Sequence, residues 1–78
     1  MQTSTSHRVA ANLRAEVARR QIPQRELAQL LKVSQASVSR RLLGQQPLNV
    51  DELTTISTFL GVDPAVLFGW TPAQVPAA

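Results

Sequence analysis

The sequence contains no cysteine, which excludes disulfide staples and thiolate metal ligands. Its single histidine, His7, cannot build a metal site or a Ser/His/Asp triad with any redundancy. No apolar run approaches the ~18 residues of a membrane span. The opening MQTSTSHRV lacks a basic start followed by an apolar core, so it does not read as a secretory signal. Paired carboxylates at helical spacing, a Ser/His pair in a pocket-forming context and a glycine-rich phosphate loop are all missing, which argues against an enzyme and against a bound cofactor. What remains is 78 residues, room for one small domain. With 44% apolar and 17% charged residues the chain is globular by composition. A domain this small and without staples needs a compact, helix-rich core.

Charge is unevenly distributed. Residues 1–41 hold all eight basic side chains and two acids, net +6, whereas residues 42–78 hold three acids and no base, net −3. The basic half suits a polyanion, although a solvated basic face would give the same pattern. Seven of the eight bases are arginine, the forked donor that matches phosphates and guanines.

The hydropathy pattern predicts short helices and no strands. Val9, Leu13 and Val17 recur at i, i+4 and i+8 in a helix from about Ser6 to Arg20, with Ala10 and Ala18 beside them. Ile22-Pro23 breaks the chain, and a second helix spans roughly Pro23 to Leu31. Ser34 is a good N-cap for a third, reaching about Leu43, with Gly44 as its stop. Asn49 and Glu52 form a capping box for a fourth, with Leu48 placed to staple onto Leu53. Leu53, Ile56, Phe59 and Leu60 form its apolar stripe, and Gly61 ends it. Asp63 caps a short fifth helix with Pro64 at its first position, closed by Gly69. Residues 1–7 read as a flexible start, and residues 70–78 as a tail or the start of a linker.

The segment QRELAQLLKVSQASVSRRLLG, residues 24–44, puts only about three residues between two short helices, which forces a sharp turn and a crossed pair. Ala28 is small where the helices approach, and Leu27, Leu31, Val33 and Val38 anchor the turn. Gln35, Ala36, Ser37, Ser39 and Arg40 leave the outer face of the third helix small and polar, as a helix entering a major groove requires. This segment resembles the helix-turn-helix of Cro/CI-type phage repressors, the XRE-like family. LNVDELTTISTFLGVDPAVLFG is similar to that family's fourth and fifth helices, so the resemblance covers residues 8–69.

The resemblance implies an all-α, five-helix lambda-repressor-like domain that binds double-stranded operator DNA in the bacterial cytoplasm. It implies a phage or prophage repressor, either a complete Cro-like regulator or the DNA-binding domain of a longer immunity repressor. An antitoxin-type protein-interaction module on the same fold is the alternative. Gln35 matches the family's base-reading glutamine and can bond adenine in a bidentate manner. Ala36 can meet a thymine methyl, Ser37 lies beside it, and Arg40 is placed for guanine. Gln24 matches a glutamine that touches phosphate and braces the reader. Arg25, Ser34, Ser37, Ser39, Arg41, Gln45 and Gln46 are candidate phosphate contacts. Arg14, Arg19 and Arg20 are weaker candidates on the first helix. Phe68 and Trp70 are expected either to cap the core or to seed a weak dimer that pairs on DNA.

Three positions depart from the family pattern. Lys32 stands where glycine is usual, which predicts ~1 kcal/mol of strain and a less regular turn. Pro23 replaces the usual Ser or Thr cap. Arg41 replaces an apolar or aromatic residue, and is expected to lay its stem along the core with its charge in water.

Overall fold

A computed structural model describes residues 5–69. The expectations for Trp70, for the tail at residues 70–78 and for residues 1–4 lie outside the described residues. Five helices follow one another: α1 (Thr5–Arg19), α2 (Gln24–Leu31), α3 (Gln35–Leu42), α4 (Val50–Leu60) and α5 (Pro64–Phe68). None is long and apolar enough to cross a membrane.

The α1 stripe lies where its periodicity puts it. Val9, Ala10, Leu13 and Val17 are buried, while Ala18 is exposed. They meet Leu27 and Ala28 of α2, Val38 and Leu42 of α3, Ile56 and Leu60 of α4, and Leu67 of α5 in one core. Each fully buried Leu or Ile contributes about 1.5–3 kcal/mol of transfer free energy, the main force holding so short a chain together. Helix α1 packs on α5 and α3, α2 on α3 and α4, and α4 on α5. The backbones of α3 and α4 do not approach each other closely.

Helix starts follow the local signals. Ser34 accepts from the Ser37 amide, Asn49 and Glu52 form the reciprocal box, and Asp63 accepts from the Ala65 amide. Pro23 precedes α2 without a side-chain cap. Helix ends are more uniform than the sequence suggests. Gln21, Lys32, Gly44, Gly61 and Gly69 all take positive φ after a helix. After the first four of these, the next amide reaches back five residues to a helix carbonyl, Ile22 to Val17 and Val33 to Ala28 among them, the bond that marks a Schellman ending. The Lys32 turn is therefore regular, contrary to the expectation from its missing glycine: φ is 59° and the Val33–Ala28 bond is 3.0 Å.

Helix α1 begins at Thr5, one residue before the expected Ser6, so residues 5–7, which also read as part of a flexible start, are helical. Tertiary contacts extend α1 backwards. A Cβ built on Gly44 would lie 2.5 Å from the His7 ring, so the imidazole sits directly over that glycine. Thr5 and Ser6 line an apolar depression with Val9, Leu48, Val50, Leu53 and Phe68.

Candidate nucleic-acid interface

The faces of α3 are sorted by helical geometry. Val38, Arg41 and Leu42 point inward, whereas Gln35, Ala36 and Arg40 are exposed, with half-buried Ser37 and Ser39 on the flanks of that exposed stripe. The stripe carries no acidic group. It ends at Leu43, an apolar side chain 53% exposed that sequence reasoning passed over. The expected helix already reaches about Leu43, and helical period places it three residues beyond Arg40 on the same face, so the signal was present but unused.

The start of α2 lies beside this stripe. Gln24 and Ser39 line one cleft of about 400 Å³ together with Arg14, Val17, Ile22 and Leu43. Arg25, the next residue, is exposed. Arg14 crosses from α1 to donate to the Leu42 carbonyl, placing a cation at the C-terminal end of α3, where the helix dipole favours it. Ser34 uses its hydroxyl as the α3 cap, through a 3.1 Å bond from the Ser37 amide. The amides of Gln45 and Gln46 both turn back onto the Arg40 carbonyl, at 2.9 and 3.3 Å, so any outward contact from these residues must come from their side chains.

Arg41 is where the structure departs most from the sequence reading. It is only 7% exposed, and its charge is not in water. Nε and Nη2 donate to the two carboxylate oxygens of Glu52 at 3.3 and 2.9 Å, while Nη1 donates to Ser37 Oγ and to the Ser37 carbonyl. A guanidinium already committed to a carboxylate and shielded from solvent cannot reach a phosphate, so Arg41 leaves the candidate phosphate contacts. Partial burial pushes the Glu52 carboxyl up. The Arg41 hydrogen bond, the Asn49 amide and the Arg41 charge outweigh this and hold it below the ordinary carboxylate value.

The remaining bases divide in two. Arg19 and Arg20 both pair with Glu16, whose carboxyl is held below its ordinary value, chiefly by the hydrogen bond from Arg20 and against the opposing effect of burial. Arg8, Arg14, Arg25, Lys32 and Arg40 are exposed and have no carboxylate partner among the described residues. No cluster of three metal-ligating side chains occurs among the described residues. Phe68 is half-buried in the apolar depression near Val50, which is 77% exposed.

A family model described as helix-turn-helix matches residues 13–67, most of the chain. Comparison with curated proteins and with solved structures finds no match.

Proposed function

The chain belongs to the Cro/CI-type, XRE-like helix-turn-helix family of DNA-binding regulators, and from that premise we propose that it is a sequence-specific repressor of phage or prophage type that reads double-stranded DNA through α3. The observation that carries this reading is the outward stripe of α3. Gln35, Ala36 and Arg40 stand exposed together, with no acid among them and the start of α2 alongside. In this reading Gln35, Ala36, Ser37 and Arg40 face base edges in the major groove. Gln24, Arg25, Ser34, Ser39 and the side chains of Gln45 and Gln46 position the helix on phosphates. Two copies pair weakly on a palindrome with half-site centres ~10 base pairs apart. Phe68 supplies the apolar contact between them.

Selection of binding sites from random duplexes should yield one strong motif, and a flat profile would remove the reading. Once the motif is known, two kinds of contact separate by salt and sequence. Arg25→Ala should weaken operator and scrambled duplex alike and lower the salt slope by about one unit. Gln35→Ala should cost ~1–3 kcal/mol on the operator and little on the scrambled duplex, because a neutral base contact adds nothing to non-specific binding. Arg40→Ala should cost ~1–3 kcal/mol on the operator and a smaller amount on the scrambled duplex.

A further inference from the structure

The gap between α3 and α4, whose backbones stay apart, is crossed by a continuous line of hydrogen bonds. Glu52 on α4 holds two nitrogens of Arg41, and the third nitrogen turns back along α3 to Ser37 Oγ. The side chains of Arg41 and Glu52 are only 9% and 15% exposed, so water competes little for these bonds. A guanidinium is planar and rigid. Fixing Nε and Nη2 on the carboxylate therefore dictates where Nη1 points. Ser37 itself is half-buried, at the α4-side flank of the outward stripe, one residue after exposed Ala36 and three before exposed Arg40.

A serine hydroxyl offers one donor hydrogen and two acceptor lone pairs. Arg41 occupies a lone pair and polarises the O–H, and its N–H group disfavours a second incoming donor at the same oxygen. We propose that the Arg41–Glu52 pair presets the Ser37 hydroxyl as a hydrogen-bond donor toward an acceptor on DNA, either a phosphate oxygen or a base acceptor such as a purine N7. Arg41 and Glu52 are then positioning residues that never touch DNA, and Ser37 is the contact. Base amino groups, which are donors themselves, are disfavoured opposite Ser37. The inference rests on the assignment of α3 as the reading helix.

The test uses the full chain with its selected operator and a scrambled duplex. Three forms are compared with the native protein: Ser37→Ala, the paired substitution Arg41→Met with Glu52→Gln, and all three changes together. Methionine keeps the apolar stem of Arg41 and glutamine keeps the capping box, so the fold is retained, as circular dichroism checks. Ser37→Ala should weaken operator binding about five-fold, the worth of one hydrogen bond. An equal loss on the scrambled duplex identifies a phosphate acceptor, and a loss on the operator alone identifies a base. The paired substitution should cost about three-fold when Ser37 is present and nothing when it is already alanine, because the pair acts through that hydroxyl. Unchanged affinity of Ser37→Ala on both duplexes would overturn the proposal, the hydroxyl then donating within its own helix. So would an equal loss from the paired substitution in both backgrounds, which would mean the pair merely seats α3. Gln35→Ala, measured alongside, separates the two levels. If it keeps full discrimination between the duplexes, the α3 assignment falls and takes this inference with it.

Discussion

The turn between α2 and α3 and the turn between α4 and α5 are one backbone event in two different sequences. Leu31-Lys32-Val33-Ser34 and Leu60-Gly61-Val62-Asp63 each end a helix on a positive φ, 59° at Lys32 and 72° at Gly61. In both, the following valine donates to a carbonyl five residues back at 3.0 Å, and its side chain packs on the core. In both, the next residue caps the new helix through a side-chain oxygen. Glycine at one and lysine at the other produce the same geometry. The turn is therefore set by the helix-ending bonds, the buried valine and the cap, while glycine only lowers its cost. The two turns differ in the helices they introduce. Helix α5 is five residues that close the core, whereas α3 exposes a polar stripe and is tied to α4 by a shielded ion pair.

Removing that tie should give the largest effect, because nothing in the α4–α5 pair corresponds to it. Arg41→Ala leaves the Glu52 carboxylate shielded without its cation. Full burial would make this 3–5 kcal/mol; at the partial exposure seen here the expected loss is about 2–3 kcal/mol in denaturant unfolding. Arg19→Ala should have a far smaller effect, because Arg19 itself is 65% exposed and Arg20 still holds the Glu16 carboxylate. The same Arg41–Glu52 pair shapes acid unfolding. The Glu52 carboxyl is held below its usual 4.5, so the stabilisation it brings is complete above that value and is lost as pH falls through the lower folded one. Wild type should accordingly lose stability below about pH 4.5 more steeply than Glu52→Gln, as read from melting temperatures on a pH series.

Much of this molecule could be read from residues adjacent in sequence, and the exceptions share a cause. Helix starts were legible because Ser34, Asn49 and Asp63 act on amides two or three residues away. The α1 stripe and the outward placement of Gln35, Ala36 and Arg40 follow from helical period alone. The Arg41–Glu52 pair joins residues eleven apart, and nothing local announces it. Helical period turns Arg40 outward, and the tertiary pairing with Glu52 draws the adjacent Arg41 inward. His7 over Gly44 brings the start of α1 to the end of α3, a contact without a local signature. Gln21 ends α1 on a φ of 56° although glutamine gives no stop signal; the Val17 carbonyl and the packing of Ile22 on the core impose it.

Gly44 tests whether surroundings or φ dominate at a helix end. Gly61 has open space where a Cβ would go, so Gly61→Ala should register backbone strain alone, about 1 kcal/mol. At Gly44 the φ of 78° is similar, but the new Cβ would also collide with the His7 ring. Gly44→Ala should therefore cost more, about 1.5–2 kcal/mol, with the excess being the displacement of the imidazole. His7→Ala in the same protein should bring the cost of Gly44→Ala down to that of Gly61→Ala. Equal costs at the two glycines in the native background would show that the ring moves aside freely.

The smallest effect at the helix ends is also the most direct comparison of the two turns. At Lys32, glycine would relieve the left-handed strain of a side-chain-bearing residue, about 1–2 kcal/mol. Glycine also loosens the unfolded chain, which takes back roughly 0.4–1 kcal/mol. Relief of strain outweighs that loss, so Lys32→Gly should stabilise the fold by about 0.5–1 kcal/mol, and Gly61→Lys should destabilise it by a similar amount. Both are measurable as shifts in denaturation midpoint at unchanged slope. A destabilised Lys32→Gly would mean that the lysine stem contributes packing the turn needs, and the equivalence of the two turns would end at the backbone. Stabilisation would show that the chain carries avoidable strain at the entrance to α3. Lys32 is an exposed base without a carboxylate partner among the described residues, so the informative second reading is DNA binding. A salt slope lower by about one unit in Lys32→Gly would place this strained residue among the phosphate contacts, and would give a functional reason for a lysine where glycine is the more stable choice.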